Sequence, residues 1–367
     1  MPDVVKLAAD LVAIPSVSRD SNLDVASRCE EELIGSGFAV EHIDDDDHGQ
    51  TKRSLVAVRG EVTGGTFAYF GHTDVVPADD WTGPGGPFDP VVVDDRLYGR
   101  GACDMKGSVA AMLTAAAETT APCVVVLTSD EEVGFGGAKA VVSRSASWGD
   151  IVAGGVRGVI GEPTLRRVLH GHKGGLIWRM TARGKQGHTS FGVDASATLA
   201  MLPVLAELRL VVEELRSDPR YRSDAFTPPG PTPNVRLTDE SPALNVTSAS
   251  ASAQVFLRLV PNADPAELSA RMRSVCERHG VEWWSSPGSP AFFRDPSDDY
   301  IRSLCELTGG SSSTASYGTD ACIFGAVPQL AVLGPGSIEQ AHTKDEWIAL
   351  DELHKGVGLY RRLIEDR

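Results

Sequence analysis

Several ingredients that would steer a reading of this chain are scarce. Its six cysteines (Cys29, Cys103, Cys123, Cys276, Cys305 and Cys322) include no CxxC or other tight spacing. That scatter suits reduced thiols and argues against a disulfide framework. Positive charge is short: 34 Lys+Arg face 50 Asp+Glu, leaving a formal charge of −16. With no basic face, a nucleic-acid partner and an anionic membrane surface are both disfavoured. No apolar run approaches the roughly 18 residues that a membrane span needs. The longest stretches, 110–117 and 199–212, are broken by polar groups. Residues 1–17 lack a basic segment followed by an apolar core, so no secretion signal is expected. Gly134–137 lacks the lysine of a phosphate-binding loop, so no nucleotide is implied. The expectation is a soluble, acidic, cytoplasmic protein.

What remains is ordinary globular material. The 367 residues are 42% hydrophobic and 23% charged, enough for about two domains with a large core. The first half alternates strand and helix signals. Short apolar runs at 66–70, 123–128, 158–160 and 329–333 resemble buried parallel strands. They end at Gly71-His72, Ser129-Asp130, Gly161-Glu162 and Gly334-Pro335-Gly336. Ligands gather outside the carboxyl ends of such strands, so these residues fall on one rim of one sheet.

After His172-Lys173-Gly174 the character changes. Residues 175–183 alternate as a half-exposed strand, and Asp194 is placed to cap a helix running to about Leu215. Strand patterns at 234–237, 253–260 and 281–285 and a helix over 265–279 complete a β-α-β-β-α-β order, the ferredoxin-like motif. The expected fold is α/β: a mixed, mainly parallel sheet flanked by helices, with an α+β domain inserted. The division is 1–173 and 288–367 for the larger domain and 174–287 for the insert.

The rim is rich in metal-ligand types: His72 with Asp74, Asp104, Glu131-Glu132, Glu162 and His342. Carboxylates with imidazoles and no thiolate suit zinc, cobalt or manganese. His72-Thr73-Asp74 reads as a ligand and the acid that orients it. In an extended Glu131-Glu132 the two side chains point opposite ways, so one can coordinate while the other faces substrate as a general base. Each feature alone has an ordinary alternative. His-x-Asp recurs by chance, Glu131-Glu132 suits a helix N-terminus, Glu162-Pro163 suits a rigid turn, and His342 suits a surface. Their shared placement joins them.

Longer motifs carry a resemblance. Gly71-His72-Thr73-Asp74-Val75-Val76-Pro77, the stretch from Tyr98 through Gly99-Arg100-Gly101-Ala102-Cys103-Asp104-Met105-Lys106-Gly107, Asp130-Glu131-Glu132 and Gly161-Glu162-Pro163-Thr164 are similar to signatures of one hydrolase family. It is the dinuclear-metal family of acetylornithine deacetylase, succinyl-diaminopimelate desuccinylase, aminoacylase and related carboxypeptidases. The resemblance spans essentially the whole chain. It implies two divalent metals, zinc or cobalt, with Asp104 bridging them. Glu132 and His342 would complete one site, and His72 and Glu162 the other. Asp74 would orient His72, and Glu131 would be the general base of amide hydrolysis. A cis peptide at Asp104–Met105 is also implied.

The resemblance makes the inserted domain a lid and dimerisation domain. In Gly184-Lys185-Gln186-Gly187-His188-Thr189-Ser190, His188 would stabilise the oxyanion in the partner subunit's active site, which implies a homodimer. Asn245 and Arg258 would grip the substrate carboxylate, with a turn asparagine and a solvated strand arginine as the alternatives. The segment 331–342, His172-Lys173-Gly174 and Gly318-Thr319-Asp320 look most like acetylornithine deacetylase. There, an acid near Asp320 would meet the free amino group of the substrate. Asp320 is shorter than the glutamate of that pattern, and the Ser/Ala-rich 241–252 diverges from it. The implied activity is removal of an acetyl group from a small N-acyl amino acid such as N-acetylornithine. A desuccinylase, another deacylase of a specialised biosynthetic pathway, a dipeptidase or carboxypeptidase, and a non-catalytic binding protein stay open. Other features are read as structural: Asp44–47 with His48 as a solvated loop, His170, His172 and Trp283-Trp284 as packing, and Cys103 as an inert buried thiol.

Overall fold

The computed structural model describes residues 3–47, 49–192 and 195–366. The chain divides into two compact units. One comprises Met1–His170, Arg294–Ser313 and Thr319–Arg367, and the other Gly171–Phe293 with Thr314–Gly318.

The first unit is built on a mixed sheet. Its strands run in the spatial order Ala39–Asp47, Gln50–Arg59, Cys123–Thr128, Phe67–His72, Arg157–Ile160, Gln329–Val332 and Leu169–His172, the last of which gives only Leu169 and His170 to this unit. The parallel pairings are contiguous at the centre: Phe67–His72 lies between Cys123–Thr128 and Arg157–Ile160, and Gln329–Val332 follows. Antiparallel pairings flank them. These four parallel strands are the apolar runs expected from sequence. Every residue of Phe67–His72 and Cys123–Thr128 is buried, because helices cover both faces of such strands.

Helix Lys106–Ala117 is buried almost throughout and packs against the helices Val4–Val12 and Leu350–Glu365. It is small and apolar all round, as a helix inside a core must be. Val4–Val12 instead buries one stripe (Val4, Leu7, Ala8, Leu11 and Val12) and is capped by the Asp3 carboxylate, which accepts from the Val5 N–H at 2.9 Å. Tyr69 and Tyr360 meet edge to face at 5.2 Å, and both hydroxyls bond Ser108 Oγ.

Asp44–47 belongs to the strand Ala39–Asp47 and not to a loop. Asp44, Asp45 and Asp46 are nonetheless exposed: Asp44 pairs with Arg53 at 2.7 Å and Asp45 with Arg144 at 3.3 Å. His48 lies outside the described residues.

In the second unit the strand order is Thr232–Asp239, Ser250–Leu259, Gly174–Arg183, Glu282–Ser285, all antiparallel. With helices Ala197–Ser217 and Pro265–Arg278 this is the ferredoxin-like arrangement. Along Gly174–Arg183 burial alternates, and Leu176, Trp178, Met180 and Ala182 face the core. The expected cap Asp194 lies outside the described residues; Ser196 precedes the first helical residue. His172 is fully buried, and its Nδ1 donates to the main-chain carbonyl of its neighbour Lys173 at 3.0 Å. Trp283 packs against Trp178 at 5.8 Å between ring centres.

Candidate metal centre and active site

Strand ends in the first unit deliver the polar groups. His72 closes Phe67–His72, with Asp74 two residues on. Glu131 and Glu132 follow Cys123–Thr128, and Glu162 follows Arg157–Ile160. Asp104 sits in the turn just before helix Lys106–Ala117, at a cis Asp104–Met105 peptide.

Asp104 is the centre of the arrangement. Its Oδ1 lies 3.2 Å from His72 Nε2, and its Oδ2 3.3 Å from His342 Nε2. On the first side Glu162 Oε1 is 3.8 Å from His72 Nε2. On the other, Glu132 Oε1 is 2.9 Å from His342 Nε2. His72, Asp104 and Glu132 offer ligand atoms within 4.8 Å of one another. The geometry is two half-sites, His72 with Glu162 and His342 with Glu132, sharing one carboxylate. His72 is 1% exposed and His342 52% exposed in side-chain terms, so the cluster is deep on one side and open on the other.

Asp74 acts differently from the simple expectation. His72 Nδ1 donates to the Asp74 main-chain carbonyl at 2.9 Å, and the carboxylate Oδ1 stands at 3.6 Å. The Asp74 carboxylate instead accepts from Ser18 Oγ at 2.7 Å and from the N–H groups of Glu131 and Glu132 at 3.1 and 3.3 Å. It thus fixes the turn carrying both glutamates. That segment is a turn and not an extended strand. Asp130, at φ 55°, opens it, and the buried Lys52 ammonium lies 3.1 Å from the Asp130 carboxylate.

The electrostatics follow from this crowding. Burial first, then the charges of Glu162, Asp320 and Glu132, push the Glu131 carboxyl well above its ordinary range. Burial and the Asp104 charge do the same to Glu162. Asp104 is held below its ordinary value: burial opposes this, but hydrogen bonds from His342 and His72 prevail. His342 is raised to about 10 by its bonds to Asp104 and Glu132. The donor set fits two hard or borderline divalent cations. Buried carboxylates, the buried His72 imidazole and the more exposed His342 imidazole converge on one spot, and their ligand atoms face one another.

The remaining expected residues are placed as follows. Thr319 Oγ1 accepts from the Ala321 N–H at 3.2 Å, capping the turn Asp320–Cys322. Asp320 is buried and its Oδ2 accepts from Thr128 Oγ1 at 2.6 Å. Among the described residues its Oδ1 has no hydrogen-bond partner. Burial and the Asp74 charge raise the carboxyl to about 7. In the second unit His188 is exposed, and its Nδ1 accepts from the Ser190 N–H at 3.1 Å. The Asn245 carbonyl accepts from the Thr189 N–H at 3.1 Å, and Arg258 lies over the Phe256 ring at 4.7 Å. Gly318 ends the second unit's last segment. Sequence reasoning assigned no role to Ser18, Lys52, Arg100 or Glu346. Arg100 lies inside the 98–107 motif and Ser18 ends the family-like stretch 14–18, while Lys52 and Glu346 carry no local signal. Cys103 is buried, and its thiol donates to the Ser337 carbonyl at 3.2 Å.

A mixed α/β sheet whose central strand ends bring together buried carboxylates and two histidines defines a metallohydrolase class of site. Comparison with known proteins makes this particular. The model of peptidase family M20/M25/M40 matches residues 68–366. Acetylornithine deacetylase of Myxococcus xanthus is 31% identical over 96% of this chain and 94% of its own. That of Proteus mirabilis (strain HI4320) is 29% identical over 100% and 97%. Among solved structures, the M20 family metallo-carboxypeptidase Sso-CP2 from Sulfolobus solfataricus superimposes with a TM-score of 0.80 at 16% identity, covering 100% of this chain and 99% of the other. The chain belongs to the M20/M25/M40 peptidase family and is a hydrolase of amide bonds. Among the described residues no helix is long and apolar enough to cross a membrane.

Proposed function

We propose that this enzyme removes an acetyl group from a small N-acyl amino acid such as N-acetylornithine. The observation carrying this reading is the pair of half-sites around Asp104 with Glu131 beside them. His72, Asp104 and Glu162 would hold one divalent ion, and His342, Asp104 and Glu132 a second, zinc or cobalt by donor chemistry. When bound, the two ions supply water activation and polarisation of the acyl carbonyl. Glu131 takes the proton of the attacking water and returns it to the departing nitrogen. Asp74 keeps Glu131 and Glu132 in place through their N–H groups. For His188 as oxyanion stabiliser, and for Asn245, Arg258, Gly318, Thr319 and Asp320 as substrate contacts, the support is the sequence resemblance.

The acetyl group and the amino-acid product rest on the 31% and 29% identity to two acetylornithine deacetylases. A homodimer through the second unit belongs to the same proposal. The edge strand Thr232–Asp239 has a single sheet neighbour and exposes Val235 and Leu237, an edge that proteins usually cover. Six scattered cysteines with no tight spacing support a reducing, cytoplasmic setting.

The test is a panel of N-acetyl, N-formyl and N-succinyl amino acids and free dipeptides, assayed on chelator-treated protein with zinc or cobalt restored. Fastest turnover of N-acetyl substrates, with two metal equivalents bound, is expected. Preference for succinyl substrates or dipeptides would overturn the substrate reading, and failure to bind metal would overturn the site. Light scattering reads the dimer, and a monomer at micromolar concentration would refute it.

A further inference from the structure

The ligand-bearing segments around Asp104 and His342 are far apart in sequence, and neither is a strand of the main sheet. Something must fix them to one another. Glu346, 1% exposed, does so with both carboxylate oxygens. Its Oε1 accepts from the N–H groups of Cys103 and Asp104, each at 2.9 Å. Its Oε2 accepts from the Gly101 N–H at 3.1 Å and from Arg100 Nη1 at 2.8 Å. Arg100, 2% exposed, also donates from Nη2 to the Thr343 carbonyl at 2.9 Å, the residue after His342. The Gly99 N–H donates to the Glu346 carbonyl at 3.1 Å. One ion pair, between residues 246 positions apart, therefore ties the 99–104 turn to the 342–346 segment.

A buried ion pair is a poor source of net stability, since desolvation offsets much of its attraction. A bidentate, hydrogen-bonded pair is, however, a good source of fixed geometry. Here every bond it makes ends on the main chain of a segment that carries Asp104 or His342.

We infer that Glu346 and Arg100 are positioning residues that set the separation of Asp104 and His342, and so the spacing of the two half-sites. This rests on the reading of the site given above. Groups behind metal ligands typically govern metal affinity and activity by about 10- to 100-fold. Glu346→Gln keeps the shape but turns one acceptor into a donor facing N–H groups. Arg100→Met removes the link to Thr343, and Arg100→Lys restores a single donor.

The experiment titrates chelator-stripped wild type and variants with zinc against a chromophoric chelator. It also measures kcat and KM on the wild type's own substrate and records metal-free thermal unfolding. Glu346→Gln should bind zinc about 10- to 100-fold more weakly. Its kcat should fall in parallel, KM should stay within about twofold, and its metal-free unfolding should remain cooperative. Arg100→Lys should fall between wild type and Arg100→Met on the same scale. Wild-type affinity and kcat in a folded Glu346→Gln would overturn the proposal. So would losses that only track the unfolded fraction, or failure of all three variants to fold, since the pair would then serve the fold alone. Wild type that takes up no zinc sinks the reading of the site itself; zinc uptake unaffected by the variants sinks only the positioning role.

Discussion

Both units satisfy buried polar side chains on the main chain, but among the described residues only the first also crowds buried like charges. In the second, buried polar side chains end on backbone carbonyls: His172 on Lys173, Lys173 on Gly230, Thr247 on Lys185 and Ser248 on Ser250. Its charged pairs, such as Arg183–Glu282 and Arg278–Glu207, lie toward solvent. In the first unit, by contrast, Asp104, Glu131, Glu132 and Glu162 crowd one another at the sheet rim, and two imidazoles share the space. Polar groups satisfied by the main chain serve architecture. Like charges held together out of water are costly unless a cation joins them, which makes such a cluster a mark of chemistry.

The sharpest way to separate the two roles is to remove one charge from the rim. Glu131→Gln is expected to lower kcat by about 10²–10⁴-fold while leaving bound metal and the unfolding temperature near wild type. Metal analysis beside steady-state rates checks it, and near-normal turnover would break the assignment.

The mirror experiment in the second unit is Trp178→Ala. Trp178 is fully buried in that unit's core. Its loss should cost about 3–5 kcal/mol in denaturant unfolding. Metal stoichiometry should not change, because no residue of the proposed metal set lies in that unit. Loss of metal with Trp178 would erase the contrast.

A third prediction concerns acid. Burial lowers His172 from 6.5 to about 4. The folded chain thus resists protonation that the unfolded chain accepts. Its stability is full above pH 6.5 and declines as pH falls through 4. The loss amounts to roughly 3 kcal/mol. His172→Gln should flatten that part of the stability profile, and an unchanged slope would show that His172 does not set it.

The smallest effect tests local architecture. The Asp264 carboxylate caps helix Pro265–Arg278 by accepting from the Ala266 N–H at 2.8 Å. Asp264→Ala should cost about 1 kcal/mol, with kcat unchanged.

Much of this was legible in the sequence because it is local. The four central parallel strands declare themselves as apolar runs, and the polar residue after each run must emerge at a strand end. The second unit's alternating strands and paired helices are equally local in origin. The acid run 44–47 misled as a loop because four aspartates read as turn formers. Pairing with Gln50–Arg59 holds them in a hairpin instead.

Which residue types reach the rim is written locally in the chain: His72, Asp104, Glu131, Glu132 and Glu162 follow from short-range pattern and motif. That Asp104 turns one oxygen to His72 and the other to His342 is settled only in the folded chain. The same holds for the Asp74 carboxylate gripping the Glu131–Glu132 turn, and for Glu346 with Arg100 fastening two distant segments. The physical reason is that these contacts join segments up to 246 residues apart. A hydrogen bond across such a span leaves no periodicity in the chain, and it exists only once the sheet has brought its ends together.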